Sequence, residues 1–301
     1  MTIEPFKRSD FRYIDTHTHF FPEKLFKAIW SYWDRVYVPF FPTWKNIYEW
    51  PANELTAFIE NEGTEYYTTL NYAHKPGLAS GLNDWTVEFC KTNPKAIPFG
   101  TAHPGDADFM QYAEKALTEY QFRGLKLQLM VTDFFIHDKR LDPLHKMMKD
   151  LDKVLVVHAG TAPGIDQQPV PGAKVGAEAF KTYLDKFPDN KVVVAHMGGY
   201  EYEEFFKIVG QSPNVYLDTA MVWPPPESEL FPEEDAPQRI LGDERVLSFM
   251  ETCSNRILFG SDYPFIPFSY GSQIDELLKL PLSKGAFENI FYNNARELFG
   301  L

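Results

Sequence analysis

Apolar and polar positions alternate along the chain in a repeating pattern, in which a short apolar run precedes a longer segment with helical spacing. Short runs rich in Val, Ile and Leu are typical of buried strands. Apolar residues spaced three and four apart predict helices, for example over Asp106–Tyr120 and Glu201–Val209. The pattern predicts eight strands, at Tyr13–His19, Tyr66–Ala73, Ala96–His103, Phe122–Met130, Val154–Gly160, Lys191–Gly198, Val215–Met221 and Arg256–Asp262.

Strands that alternate with helices are typical of an α/β protein with a parallel sheet. Polar residues lie at the ends of nearly all the predicted strands. A doubly wound sheet would concentrate them at one switch point, so the pattern favours a closed (β/α)8 TIM barrel. The chain has 301 residues, a length that α/β barrels reach as one domain. We therefore predict a single barrel domain over residues 1–301.

An aromatic-rich insertion after the first predicted strand, residues 20–51, is too long for a simple loop. Long loops at the catalytic face of a barrel usually shape the pocket, so we predict a pocket-covering insertion, with a purely packing role as the open alternative. A second irregular stretch at the same face is predicted over residues 223–237. The insertion holds four residues that we predict to bind substrate, namely Trp30, Trp33, Trp44 and Arg35.

The composition of the chain disfavours several classes of binding partner. The formal net charge of −13 disfavours nucleic acid, because phosphate binding needs basic patches. The sequence has no apolar run of about 18 residues that would span a membrane, and its first residues lack the apolar stretch of a signal peptide. Two widely separated cysteines fit a reducing compartment. We expect a cytoplasmic protein that acts on a small molecule, and the sequence leaves a homo-oligomer open.

Metal-competent side chains stand where the apolar strands stop. His17 and His19 are two apart in the first strand, so both project to the same face. Strands five and six end at His158 and His196, and strand eight ends at Asp262. One such histidine is more often structural, but five matched positions favour a metal site. Imidazole nitrogen and carboxylate oxygen suit Zn²⁺, and a catalytic site keeps an open position.

Lys126 stands out in the fourth predicted strand, where the sequence reads Gly124-Leu125-Lys126-Leu127-Gln128-Leu129. The leucines share one face, which leaves Lys126 and Gln128 on the face that points into the barrel. An unpaired ammonium there is costly, so Lys126 must be paired, deprotonated or modified. The alternative is a lysine whose amine reaches the rim.

Together these residues resemble the amidohydrolase superfamily, in particular the amidohydrolase-related branch that includes aminocarboxymuconate-semialdehyde decarboxylase-like enzymes. The resemblance covers nearly the whole chain. Its motifs are Ile14-Asp15-Thr16-His17-Thr18-His19, Gly124-Leu125-Lys126-Leu127, Val157-His158-Ala159-Gly160, Ala195-His196-Met197-Gly198-Gly199, Gly260-Ser261-Asp262-Tyr263-Pro264 and Asn294-Ala295-Arg296-Glu297-Leu298-Phe299-Gly300.

The resemblance implies roles for these side chains. His17, His19 and His158 would be metal ligands, and Asp262 would be a ligand or a proton shuttle. His196 would bind a second metal ion or polarise the substrate. We expect one divalent ion, zinc, with manganese or a second ion as alternatives.

The chain departs from the decarboxylases at Lys126. Their pattern has no lysine there, whereas the superfamily hydrolases with two metal ions have a carboxylated lysine that bridges the ions. We therefore predict hydrolysis of an amide, lactone or other ester by a metal-activated water, with Asp262, His196 and Lys126 as the catalytic residues. Non-oxidative decarboxylation of an aromatic or muconate-like acid is the alternative. A non-enzymatic scaffold is disfavoured because it has no need of a complete ligand set.

Overall fold

The structure contains the predicted alternation of strands and helices. A computed structural model describes residues 6–161, 174–228 and 243–301. Its strands are β1 Tyr13–Asp15, β2 Thr64–Thr68, β3 Ala96–Ile97, β4 Phe99–Thr101, β5 Gly124–Leu127, β6 Val154–Val157, β7 Lys191–Val194, β8 Val215–Asp218 and β9 Ile257–Leu258. Its α-helices are α1 Glu23–Val36, α2 Ala52–Asn61, α3 Ala79–Thr92, α4 Phe109–Thr118, α5 Asp142–Asp150, α6 Ala177–Lys186, α7 Tyr202–Gln211, α8 Glu244–Thr252, α9 Tyr270–Leu278, α10 Lys284–Glu288 and α11 Asn294–Phe299.

The predicted strand positions are confirmed, with two differences. The third predicted strand is divided into β3 and β4 at Pro98, because proline has no N–H to donate to a ladder. The strands also end earlier than predicted, before the candidate histidines and before Asp262. After β7, for example, His196 and Met197 have φ values of 55° and 51°, a left-handed conformation that a strand cannot contain.

The described residues form two compact units. Of the described residues, unit 1 comprises 6–18, 23–67, 219–228 and 243–301, and unit 2 comprises 19–22, 68–161 and 174–218. Residues 229–237 of the second predicted irregular stretch lie outside the described residues. Across the described ranges, no helix has the length and apolar character that crossing a bilayer requires.

Unit 2 is built around five consecutive parallel strands, β4 to β8. Their Cα partners run in rows, and one row joins Thr101, Lys126, Val156 and Val193. Residues of β6 and β7 on both faces are buried, as is typical of parallel sheets that are covered on both sides. The row therefore places Lys126 on the opposite face from Leu125 and Leu127, as its sequence pattern predicts.

In unit 1, β1 pairs in parallel with β2, and aromatic rings form much of the core. The Phe291 ring lies 4.9 Å from that of Tyr13 and 5.7 Å from that of Phe259, both edge-on. It also stacks at 5.6 Å on Phe287. Such ring pairs add about 0.5–1.5 kcal/mol each beyond their buried area, so these contacts hold β1 and β9 against the C-terminal helices.

Two glycines of unit 2 pack backbone against backbone just after two of the candidate histidines. A Cβ placed on Gly160, whose φ is +95°, would lie 2.0 Å from the carbonyl oxygen of Gly198. We expect Gly160→Ala to lower the free energy of unfolding by roughly 2 kcal/mol or more, because left-handed strain and a backbone clash add. Thermal or urea unfolding measures this change.

Gly210→Ala is the matched control. Gly210 lies in α7, and a Cβ there would meet nothing within 4 Å, so the helix should be stabilised by up to about 1 kcal/mol. Equal stabilities for Gly160→Ala and the unmodified protein would show that the backbone contact does not constrain this segment.

Candidate functional site

In unit 1, the end of β1 lies beside the segment that follows β9. The Asp262 N–H donates to the His17 carbonyl at 2.8 Å, and Thr18 bridges to Tyr263. This pairing brings His17 Nε2 within 3.3 Å of Asp262 Oδ1. The His17 side chain is fully buried and that of Asp262 is 18% exposed. The structure thus unites the first and last predicted site residues, as an imidazole and a carboxylate that can share a metal ion or a proton.

A buried carboxyl group, Asp15, holds these two segments together. Asp15 Oδ1 accepts hydrogen bonds from the His17 N–H at 3.0 Å and the Ser261 N–H at 3.1 Å. Its Oδ2 accepts from the Ser261 hydroxyl at 2.5 Å and the Tyr270 hydroxyl at 3.1 Å. Complete burial raises the pKa of Asp15 to about 7, and the hydrogen bond from Ser261 opposes that rise. Asp15 was not among the predicted site residues, although it precedes His17 by the same two-residue step that separates His17 from His19.

In unit 2, two of the predicted histidines and one further carboxylate come together. The His158 and His196 rings lie 4.7 Å apart between centroids. The backbone N–H of His196 donates to Asp218 Oδ1 at 2.9 Å. A ring nitrogen of His196 and a carboxylate oxygen of Asp218, both possible metal ligands, lie within 4.8 Å of each other. Asp218 was not among the predicted site residues, although it ends the apolar strand β8, and His158 and His196 follow the apolar strands β6 and β7 within two residues.

The orientation of His19 suits a metal ligand. His19 is buried in unit 2, and its Nδ1 lies 2.6 Å from the Leu70 carbonyl oxygen. Because a carbonyl can only accept, Nδ1 carries the proton and donates it, which makes Nε2 the atom with the lone pair. Histidines that bind a metal through one ring nitrogen typically donate the N–H of the other nitrogen in this way, which orients the ring.

Lys126 is fully buried in the middle of unit 2. Its carbonyl oxygen accepts a hydrogen bond from the Thr101 hydroxyl at 2.9 Å, and its side chain lies on the same face as Val156, the residue two positions before His158. The burial makes the alternative of an amine at an exposed rim untenable.

The insertion separates into two aromatic groups, both in unit 1. Trp30 stacks on Phe26 at 4.9 Å, and Phe26 lies 6.0 Å from Phe265, three residues after Asp262. Trp33 and Trp44 instead pack on each other, with centroids 6.0 Å apart, and the Trp33 indole donates to the Trp44 carbonyl at 2.8 Å. Arg35 is exposed in the last turn of α1. Trp30 is thus linked through Phe26 to Phe265, three residues after Asp262.

We expect Trp30→Ala and Trp33→Ala to have different effects. Trp30→Ala should raise KM for the substrate, because Trp30 packs toward the segment after Asp262. Trp33→Ala should lower the free energy of unfolding by about 2 kcal/mol with little change in KM, because it removes stacking and one hydrogen bond. Steady-state kinetics and thermal unfolding of both variants test the distinction. If Trp30→Ala changes only stability, the insertion has a packing role.

The overall architecture matches solved TIM barrels along its full length. An uncharacterised TIM-barrel protein from Bordetella bronchiseptica superposes with a TM-score of 0.72 at 19% identity, over 96% of this chain and 98% of that chain. The 5-carboxyvanillate decarboxylase from Novosphingobium aromaticivorans, solved with manganese and 4-hydroxy-3-methoxy-5-nitrobenzoic acid, gives a TM-score of 0.67 at 15% identity over 98% and 97%. A dihydroxybenzoic acid decarboxylase from Polaromonas sp., solved with manganese and 2-nitroresorcinol, gives 0.67 at 15% over 97% and 97%. These matches confirm the predicted (β/α)8 barrel fold.

Among curated proteins, none matches the sequence. The model of the Amidohydrolase family matches residues 14–301, a range that contains every candidate residue described above. The resemblance predicted from the strand-end motifs is therefore confirmed, and the chain belongs to the amidohydrolase family.

Proposed function

We propose that this protein is a divalent-metal-dependent decarboxylase of an aromatic or muconate-like carboxylic acid. The observation that carries the proposal is the full-length structural likeness to decarboxylases of 5-carboxyvanillate and dihydroxybenzoic acid whose structures contain manganese. This reverses the order of the two activities predicted from the sequence, in which hydrolysis came first.

One divalent ion would be held by His17, His19, His158 and Asp262. Imidazole nitrogen and carboxylate oxygen are ligands that first-row divalent metals accept. His17 and His19 are two residues apart, so their Cα atoms lie within roughly 7 Å of each other whatever the backbone conformation. When bound, the ion would supply positive charge that orients the substrate oxygens and stabilises the charge that develops on them. We propose zinc, with the manganese of the similar decarboxylases as the alternative.

Asp262 would deliver the proton. As the bond between the ring carbon and the carboxylate breaks, carbon dioxide leaves and its bonding electrons remain on the ring carbon. That carbon takes a proton from Asp262, whose Oδ1 is placed by the backbone hydrogen bond to His17 and by His17 Nε2 at 3.3 Å. His196 would polarise the substrate, and Trp30 would contact its planar ring.

Hydrolysis of an amide, lactone or other ester is the second candidate, and the buried Lys126 favours it. A lysine at this strand is the feature that the sequence shares with hydrolases. Asp262 would then accept a proton from the attacking water and return it to the leaving group.

A substrate panel distinguishes the two activities. Protein supplied with Zn²⁺ or Mn²⁺ is incubated with carboxyl-labelled 5-carboxyvanillate, dihydroxybenzoates and a muconate-like acid, and separately with lactones and amides. We expect labelled carbon dioxide in equal amount to the decarboxylated product, and none from the Asp262→Asn variant. Hydrolysis of a lactone or amide without carbon dioxide release from any acid would replace the first candidate with the second.

A further inference from the structure

His103, which follows β4 in unit 2, has a buried hydrogen-bond donor, the ring N–H at Nε2. The Gly105 N–H donates to His103 Nδ1 at 3.1 Å, so Nδ1 is the acceptor and the proton of the neutral ring lies on Nε2. Burial is the main cause that lowers the pKa of His103, which keeps the ring neutral. The residue is 1% exposed, and within the described part of the chain its Nε2 has no hydrogen-bond partner.

The surroundings of His103 orient the ring without using that donor. The ring packs edge-on against Phe134 at 5.2 Å, and the His103 N–H donates to the Tyr112 hydroxyl at 3.0 Å. The carboxylate of Asp133 is 3.9 Å from Nε2 and its side chain is 80% exposed. That separation is too long for a hydrogen bond, so Asp133 does not satisfy the donor.

Gln128, which follows β5, presents a complementary acceptor. Its side-chain oxygen Oε1 is buried and has no hydrogen-bond partner among residues 6–161, 174–228 and 243–301. Buried polar groups in folded proteins are nearly always paired, because desolvation without a partner is costly. An orphaned donor and an orphaned acceptor on neighbouring strands therefore indicate a site that a ligand or water completes.

The strand register places both groups in one row with a proposed metal ligand. Thr101, Lys126 and Val156 are Cα partners on β4, β5 and β6. Two residues further along the chain from these three positions stand His103, Gln128 and His158, each just after the end of its strand. The His158 N–H donates to the Leu127 carbonyl at 3.2 Å, so the ladder extends to this level. His158, Gln128 and His103 therefore follow the ends of three adjacent strands, β6, β5 and β4. Neighbouring strands in a sheet are roughly 4.8 Å apart.

We propose that Gln128 Oε1 and His103 Nε2 form a substrate subsite for an uncharged hydroxyl group. The hydroxyl would donate its proton to Gln128 and accept the His103 N–H, a pairing that a hydroxyl satisfies with its one donor and its lone pairs. A carboxylate does not fit, because it would face the Gln128 oxygen with a second acceptor. The inference rests on the proposed function, because the hydroxyl would be a substituent of the proposed acid substrate, on the side away from the metal.

Equilibrium binding of substituted benzoates tests the subsite by affinity, independently of the rate of turnover. Calorimetry on Zn²⁺- or Mn²⁺-loaded protein compares each positional isomer of hydroxybenzoate with benzoate and with the corresponding methoxybenzoate. We expect one hydroxyl isomer to bind at least ~10-fold tighter than benzoate, as one satisfied pair of buried hydrogen bonds allows. Its methoxy analogue, which cannot donate, should lose that preference.

Gln128→Leu and His103→Phe should each abolish the hydroxyl preference while benzoate affinity and metal content stay unchanged. Asp133→Asn is the matched control, because it alters the nearest carboxylate without touching either buried atom, and it should retain the preference. A preference that persists in Gln128→Leu, or that is absent from the unmodified protein for every isomer, overturns the subsite. Protein that shows the preference without releasing carbon dioxide would overturn the proposed decarboxylation and support the subsite.

Discussion

Replacing His17 with alanine is expected to remove the divalent ion and to lower turnover by more than ~100-fold, since loss of an outer-shell partner alone typically costs 10–100-fold. His17 is fully buried, and its Nε2 is 3.3 Å from Asp262 Oδ1. Activity should fall far more than stability, because the apolar core of unit 1 is formed by aromatic rings such as Phe291 and Phe259. Elemental analysis, steady-state kinetics and unfolding of the metal-free forms measure the three effects.

His145→Ala is the control for this prediction. His145 is also buried, burial lowers its pKa to about 4, and its Nε2 donates to the Ile136 carbonyl at 2.8 Å. It packs against the Tyr183 and Phe187 rings, neither of which is a candidate site residue. Its loss should reduce stability and leave the metal content intact. A His17→Ala protein that retains its ion and its rate would remove His17 from the proposed ligand set.

Substitution of Lys126 is expected to give the second largest loss. Lys126 is fully buried on the face that leads to His158, so Lys126→Met should lower turnover by roughly 100-fold, the loss typical of removing one buried charge-stabilising donor. In the one-ion account the lysine remains an amine, and the intact protein has the mass of its sequence with one ion per chain. An added carboxyl group on Lys126 together with two ions would contradict this account and favour hydrolysis.

Lys153→Met is the matched substitution. Lys153 precedes β6, at the opposite end of the strand from His158, and its amine donates to the Phe122 carbonyl at 2.8 Å. We expect a change in stability without a large change in rate. Wild-type turnover in Lys126→Met would make Lys126 a structural residue.

The hydrophobic pattern predicted β6 and β7 well because both faces of these strands are buried and Val154–Val157 and Val192–Val194 read as continuous apolar runs. It failed at the strand ends, where hydrogen bonds replace apolar periodicity. Pro98 divides one predicted strand, and the left-handed backbone at His196 and Met197 ends another. The proline acts locally through its missing N–H, whereas the left-handed backbone is not encoded in the hydrophobic periodicity.

Candidate site residues could be predicted from the sequence where a metal-competent side chain follows an apolar run, as with His158 and Asp262. Asp15 and Asp218 were missed, because their importance lies in hydrogen bonds to Ser261 and to the His196 backbone. These partners are 246 and 22 residues away along the chain. The division of the insertion between Trp30 and the Trp33–Trp44 stack likewise depends on packing that composition cannot reveal.

In the proposed mechanism, carbon dioxide release requires one divalent ion held at the strand ends. The most direct test is elemental analysis of protein purified without chelators, combined with a carbon dioxide assay before metal removal, after removal and after resupply of Zn²⁺ or Mn²⁺. We expect one ion per chain, loss of carbon dioxide release when the metal is removed, and recovery of that release when Zn²⁺ or Mn²⁺ is resupplied. Full carbon dioxide release from the metal-free protein would contradict this mechanism.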